Sequence, residues 1–400
     1  MHKGKGVAIT GMGAISAIGN TVAENLAALR AGRHGISRLT GFSSRHADSI
    51  KVGEIKTDNA AFIAQLNLPP DNNYSRTAML GLAAAREAVQ HAGITDMQAY
   101  RTGFISATSV GGMDMTEKYF YDYPDTVPLR RYVDAHHAGD SGQKIARELG
   151  ITGYVTTIST ACSSAANSVM LGARLIKAGI LDRVVVGGAD CLSKFTLNGF
   201  KTLMILSEKE CMPFDQNRTG LNLGEGAAYL VLESEETVKK EQKQPIAYLL
   251  GYGNANDAFH QTASSENGEG ATLAMQKAFA TAEIMPSAVD YINAHGTATP
   301  NNDLSEGRAI QRVFGENLPP VSSTKAYTGH TLAAAGAIEA VYSVLALQHQ
   351  VVFPNLNFAT PIADLDITPV TELREQKIDF VLSNSFGFGG NCSSLIFAKV

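Results

Sequence analysis

Four hundred residues, 44% of them hydrophobic, are enough to bury a large core, and the length corresponds to two or three domains. The net charge of −5 is modest and spread along the chain, with no basic run to suit a nucleic-acid surface. The four cysteines, Cys162, Cys191, Cys211 and Cys392, form no CxxC pair and no metal-ligand spacing, which argues against a disulfide scaffold and for a reducing compartment. The first six residues lead into an apolar run too short for a signal-peptide core, and no segment is expected to reach transmembrane length. The expected location is the cytoplasm.

In chain order, residues 6–10 read as a strand, followed by a glycine-rich turn at Gly11-Met12-Gly13. The third glycine of a dinucleotide fingerprint is missing, so a tightly packed turn is expected. Thr21-Val22-Ala23-Glu24 has the pattern of a capping box opening a helix. Residues 32–73 are loop-rich, and 76–91 form an amphipathic helical run ending before Gly93. Strand 102–109 precedes a stretch dense in aromatics, Tyr119, Phe120, Tyr121 and Tyr123. Such rings more often pack a core or subunit contact than line an acyl pocket.

A β-branched run over 154–158 then stops at Thr160-Ala161-Cys162-Ser163-Ser164, and a helix follows with Val169, Met170, Ala173 and Ile176 on one face. Residues 183–188 form a buried strand; 212–220 and 224–227 are loops whose glycines allow close backbone approach. Another apolar strand covers 228–232. The charged stretch 233–244 ends at Pro245 and divides the chain into 1–244 and 245–400. The second part repeats the order of the first: strands near 247–251 and 291–294, helices 271–282, 303–314 and 333–347, a turn or strand at 321–324, and closing strands 379–383 and 393–398. A duplicated α/β unit is expected.

Three of these junctions carry chemistry. Cys162 stands where a strand turns into a helix, where the helix dipole should lower the thiol pKa and favour the nucleophilic thiolate. Tyr291-Ile292-Asn293-Ala294-His295-Gly296-Thr297-Ala298-Thr299 places a histidine just past a short apolar strand. Ser323-Thr324-Lys325-Ala326-Tyr327-Thr328-Gly329-His330 places a lysine and a second histidine before a helix. Reactive groups at strand ends mark the usual ligand site of α/β proteins. The other eight histidines, such as His91, His136 and His137, lie in polar or helical contexts that fit solvated surface.

With Asn384-Ser385-Phe386-Gly387-Phe388-Gly389-Gly390, these stretches resemble the β-ketoacyl-acyl-carrier-protein synthases, the elongating ketosynthases. The similarity runs from Val7 to the last strand. The resemblance implies a thiolase-like fold of five α/β/α/β/α layers, with the nucleophile in the first half and the histidines in the second. It implies a decarboxylating condensation in fatty-acid, polyene or polyketide chain extension. Cys162 then accepts the acyl group, and His295 and His330 polarise the malonyl thioester carbonyl. Lys325 and Glu339 support His330, and the N–H groups of Cys162 and Phe388 form an oxyanion hole. Phe388 also gates acyl entry, Thr297 and Thr299 bind the pantetheine arm, and Asp303 matches an acidic residue after the first histidine loop.

The resemblance implies no cofactor and no metal, because the substrates ride on the phosphopantetheine of an acyl-carrier protein. The implied partners are that carrier and a second subunit, as a homodimer or a heterodimer with a ketosynthase-like chain. Arg130, Arg131 and Lys201 are candidate cations for an acidic carrier face. The sequence departs from the pattern at Asn391-Cys392, where many members have Thr-Asn, and in its aromatic run. A thiolase would need a second cysteine as base. A non-catalytic, chain-length-determining subunit would lack the nucleophile, and a synthase that starts chains from acyl-CoA would have Asn in place of His330. A Cys-His hydrolase would need neither the second histidine nor Lys325.

Overall fold

Ten strands and eight helices position the site in the computed structural model, which describes residues 6–400. The reading of the extreme N-terminus falls mostly outside these residues. The first half contributes β1 (Val7–Ser16), α1 (Val22–Arg30), α2 (Arg76–His91), β2 (Thr102–Ala107), α3 (Met113–Tyr119), β3 (Val155–Ile158), α4 (Ser164–Lys177), β4 (Arg183–Asp190), α5 (Lys194–Thr202) and β5 (Gly226–Glu233). The second half contributes β6 (Ala247–Asn256), α6 (Glu269–Ala282), β7 (Tyr291–Asn293), α7 (Pro300–Phe314), β8 (Val321–Ser322), α8 (Ala335–His349), β9 (Phe380–Gly387) and β10 (Asn391–Ala398).

The strands hydrogen-bond in the order β8-β7-β9-β10-β6-β1-β5-β4-β2-β3. Its two ends have the same plan. β3, β2 and β4 are mutually parallel, and β5 and β1 follow antiparallel. Likewise β8, β7 and β9 are parallel, with β10 and β6 antiparallel. The halves meet where Val7, Ala8 and Ile9 of β1 pair with Leu249, Tyr248 and Ala247 of β6. Helix α2 covers one outer face and α6 the other, while α4 and α8 touch each other between the two half-sheets. The expected five layers and duplicated order are thus present.

Local sequence explains each layer. Val184, Val185 and Val186 of β4 are wholly buried because helices cover both faces of the strand. Ser75 caps α2 by accepting the N–H of Ala78, and Gly93, at φ 64°, lets the chain leave it. Helix α8 is apolar on every side, as the central layer demands. The segment Leu332–His349 is therefore long and apolar enough to cross a membrane, contrary to the expectation from sequence, yet 89% of it is buried in the protein core.

Two local readings are corrected. β1 runs straight through Gly11 and Gly13, with an irregularity between Ile9 and Gly11, and the turn comes only at Ser16–Gly19. The glycines serve packing: a Cβ on Gly13 would lie 2.0 Å from the Ala84 carbonyl oxygen of α2. At α1, Thr21 accepts the Glu24 N–H at 3.2 Å, but the Glu24 carboxylate takes the N–H of Asn20 rather than that of Thr21. The capping box closes one residue early.

Gly13→Ala must push α2 off the strand, so it should cost about 1–3 kcal/mol of stability. A thermal melt unchanged from wild type would show that the helix does not rest on this backbone.

Candidate active site

The nucleophile turn is built from small residues held in an unusual backbone. Ala161 has φ 52°, a left-handed conformation that an alanine adopts only under constraint. The constraint is local: the Ser164 hydroxyl accepts the Thr160 N–H at 2.7 Å and donates to the Ala161 carbonyl at 2.5 Å. Asn167 donates to the Thr160 hydroxyl at 2.9 Å and accepts from Ser393 of β10, which ties the turn to the second half. The end of β9 abuts it, since a Cβ on Gly387 would sit 3.0 Å from the Cys162 nitrogen. The N–H groups of Phe388 and Cys162 both turn toward the sulfur.

Cys162 is nonetheless buried, at 6% exposure, and burial pushes its thiol up to about 11 despite Lys325 and those two N–H groups. This overturns the expectation of a helix-stabilised thiolate. Helix α4 starts only at Ser164, two residues on, and desolvation of the sulfur outweighs the Lys325 charge and the two N–H groups. The free protein holds a thiol.

His295 follows β7, and Glu306 of α7 fixes its main chain by accepting the N–H groups of His295 and Gly296, both at 2.8 Å. Asn384 donates to the same carboxylate at 3.2 Å. Lys325 Nζ lies 3.1 Å from His295 Nδ1, donates to the His295 carbonyl at 2.6 Å, and pairs with Glu339. An ammonium can only donate, so Nδ1 accepts and the imidazole proton stays on Nε2. Lys325 and Glu339 were expected to support His330: Lys325 acts there through its charge alone, its hydrogen bonds go to His295, and Glu339 bonds Lys325.

His330 is held by its backbone. Its N–H donates to the Asn222 carbonyl at 2.7 Å, and its carbonyl accepts from Gly224 at 2.9 Å. Gly224 has no room for a side chain, because a Cβ there would lie 2.2 Å from the Thr328 oxygen. His330 Nδ1 is buried without a hydrogen-bond partner among the described residues. The two imidazoles stand edge to face, 5.4 Å between centroids. Burial, with the Lys325 charge adding to it, holds both well below the usual histidine range, so both are neutral at physiological pH.

One cavity of about 280 Å³ gathers Cys162, His295, His330, Thr297, Thr299 and Phe388. The Thr297 and Thr299 hydroxyls are 2.9 Å apart, and Phe388 stacks on Phe200 of α5 at 5.9 Å. Lys325 and Glu339 stand behind His295. A buried thiol facing two neutral imidazoles can form a thioester and then stabilise negative charge on a neighbouring oxygen.

Residues 5–238 match the family model of the β-ketoacyl synthase N-terminal domain, and residues 246–359 that of its C-terminal domain. The chain belongs to the β-ketoacyl synthase family. The 3-oxoacyl-acyl-carrier-protein synthase 2 of Staphylococcus aureus (strain N315) is 36% identical to this β-ketoacyl synthase over 414 residues, covering 100% of this chain and 99% of the relative. The enzyme of that name from Coxiella burnetii is 35% identical, with 98% of each chain covered. Among solved structures, the ishigamide ketosynthase/chain length factor superposes with a TM-score of 0.92 at 32% identity, covering 99% of both chains. A Xenorhabdus doucetiae ketosynthase in complex with its chain length factor gives 0.87 at 32% identity, covering 99% of this chain and 98% of that one. A type II polyketide acyl-carrier protein in complex with its ketosynthase gives 0.89 at 29% identity, covering 99% of this chain and 100% of that one.

Other candidates in this β-ketoacyl synthase lie elsewhere. Tyr119 stacks on Tyr132 at 4.3 Å and lines a separate cleft of about 860 Å³, while Phe120 and Tyr121 are exposed. His91, His136 and His137 are exposed, as expected. Asp303 shapes the loop by accepting the N–H groups of Phe214 and Ala298. Lys201 stands on α5 beside Phe200, and Arg131 is paired with Asp71. Cys191 lies two residues before the Ser193 cap of α5 and is wholly buried.

Sequence reasoning missed Glu306 and Phe200, the bond from Asn384 to Glu306, and the place of Cys392 in the wall of the cavity. The spacing of Asp303 and Glu306, three apart behind the Thr299 cap, was the available signal for Glu306.

Because the thiol sits near 11, alkylation of Cys162 by iodoacetamide should climb about tenfold per pH unit from pH 7 to 9 without levelling. A plateau near pH 8 would mean that a thiolate already exists. Lys325→Met strands Glu339 in the core and should cost about 3–5 kcal/mol of stability in denaturant unfolding, most of it restored by adding Glu339→Gln.

Proposed function

We propose that this β-ketoacyl synthase extends an acyl chain by decarboxylative Claisen condensation with malonyl-acyl-carrier protein. The observation that carries the reading is the cavity in which the Cys162 thiol meets two neutral histidines, one with its proton fixed on Nε2. In the first stage the Cys162 sulfur attacks the acyl-carrier thioester. The carrier thiolate leaves and takes up the proton that Cys162 gives up. The N–H groups of Cys162 and Phe388 receive the oxyanion.

In the second stage the malonyl thioester loses CO2, and the electron pair of that C–C bond passes into an enolate. His295 and His330 donate to its oxygen. The enolate carbon then attacks the acyl-cysteine carbonyl, the C–S bond breaks, and Cys162 leaves as a thiolate that is reprotonated. Lys325 and Glu339 fix the tautomer of His295, Thr297 and Thr299 hold the pantetheine arm, and Phe388 gates the cavity. Residues 1–244 supply the nucleophile, and residues 245–400 supply the histidines and the lysine.

No cofactor enters this scheme beyond the phosphopantetheine of the carrier. The carrier partner is supported by the related ketosynthase seen in complex with its acyl-carrier protein. A second subunit, identical or chain-length-factor-like, is supported by the related ketosynthase and chain length factor complex. Docking of the carrier draws on Arg130, Arg131 and Lys201. Four unpaired cysteines suit a reducing, cytoplasmic compartment. Cys392 in the cavity wall is the one observation on the side of a thiolase, so cleavage of acetoacetyl-CoA is the control reaction.

Incubation with acyl- and malonyl-carrier protein should yield a β-ketoacyl carrier by mass, with the acyl adduct mapping to Cys162. Cys162→Ala should abolish condensation yet leave malonyl decarboxylation. His330→Ala should slow decarboxylation roughly a hundred- to a thousandfold while Cys162 still accepts an acyl group. An adduct on Cys392, or loss of acylation with decarboxylation intact in His330→Ala, would refute these roles.

A further inference from the structure

Asp190, the last residue of β4, is fully buried, and no cation is among its hydrogen-bond partners. Its carboxylate gathers two loops. One oxygen accepts from the Thr108 hydroxyl and from the N–H groups of Ser109, at 3.0 Å, and Val110, at 3.2 Å. The other accepts the Ala333 N–H at 2.8 Å and shares the Ser109 N–H at 3.1 Å. Ala333 is three residues past His330, in a turn whose Leu332 is held at φ 54°. Burial raises the carboxyl to about 6, and these donors oppose the rise.

The histidines differ in how they are held. His295 has Lys325 on its ring and Glu306 on its N–H, whereas the His330 Nδ1 has no hydrogen-bond partner among the described residues. The orientation of the His330 ring therefore depends on its main chain. Asn222 and Gly224 anchor the residue itself, and Asp190 anchors the strained turn that follows. We propose that Asp190 is a positioning residue for His330, acting through the Ala333 N–H and tying the histidine to the Thr108–Val110 loop.

Asparagine offers one acceptor oxygen and turns an NH2 group against N–H donors, so Asp190→Asn must give up either the Ala333 N–H or the Val110 N–H, one from each loop. The inference rests on the proposed role of His330, and the tests separate the two. Asp190→Asn should slow malonyl decarboxylation about ten- to a hundredfold while acylation of Cys162 stays within about twofold of wild type. Placed on His330→Ala, it should add little, because no imidazole remains to be positioned.

Equal loss of acylation and decarboxylation, or full additivity with His330→Ala, would overturn the proposal. If Asp190→Asn does not fold, Asp190→Glu keeps the charge and shifts the oxygens by one methylene, and it carries the same expectation. A His330→Ala variant that decarboxylates at the wild-type rate would instead refute the role given to His330.

Discussion

A buried lysine, bonded to His295 and Glu339, organises the wall of the cavity that Cys162 and both histidines share. Lys325 Nζ touches the His295 ring, the His295 carbonyl and Glu339 in a region almost closed to water, with both partners of the ion pair about 3% exposed. There a charge is tolerated only when it is paired and hydrogen-bonded. The same ammonium depresses both imidazoles, opposes the rise of the Cys162 thiol, and dictates which nitrogen of His295 carries the proton. Burial, with that cation adding to it, keeps both imidazoles neutral, so neutral donors rather than charged imidazoliums face the cavity.

Geometry is imposed by backbone strain next to each reactive side chain. Ala161 before Cys162, Ala298 after Thr297 and Leu332 after His330 all have positive φ, at 52°, 65° and 54°. Each such residue costs on the order of 1–2 kcal/mol. The surrounding lattice holds them there: Ser164 and Asn167 at the first turn, Asp303 at the second, Asp190 at the third. Stacking the two half-sheets around α4 and α8 lets loops from distant strands converge, because Gly387 and Gly336 allow the second half to lie against the start of α4.

The sequence alone determined the α/β class and the duplicated order of elements, and it singled out side chains that the fold brings into one cavity. These features are written in local periodicity and in short motifs at strand ends, which do not depend on distant contacts. Helix α2 occupies residues 76–91 as read, and Cys162, His295, His330, Thr297, Thr299 and Phe388 all line one cavity.

What needed the tertiary structure was every property set by burial or by a partner far along the chain. A cysteine near a helix start reads as a thiolate until desolvation is known, and the fold places it in a dry wall where the neutral form wins. Lys325 lies five residues from His330 in sequence yet contacts His295, thirty residues away, since the turn at 325–328 directs its side chain back across β7. Gly11 and Gly13 look like a turn because their need for space comes from α2, more than seventy residues later. Glu306 and Asp190 carry no motif of their own, and only the assembled chain shows which N–H groups they hold.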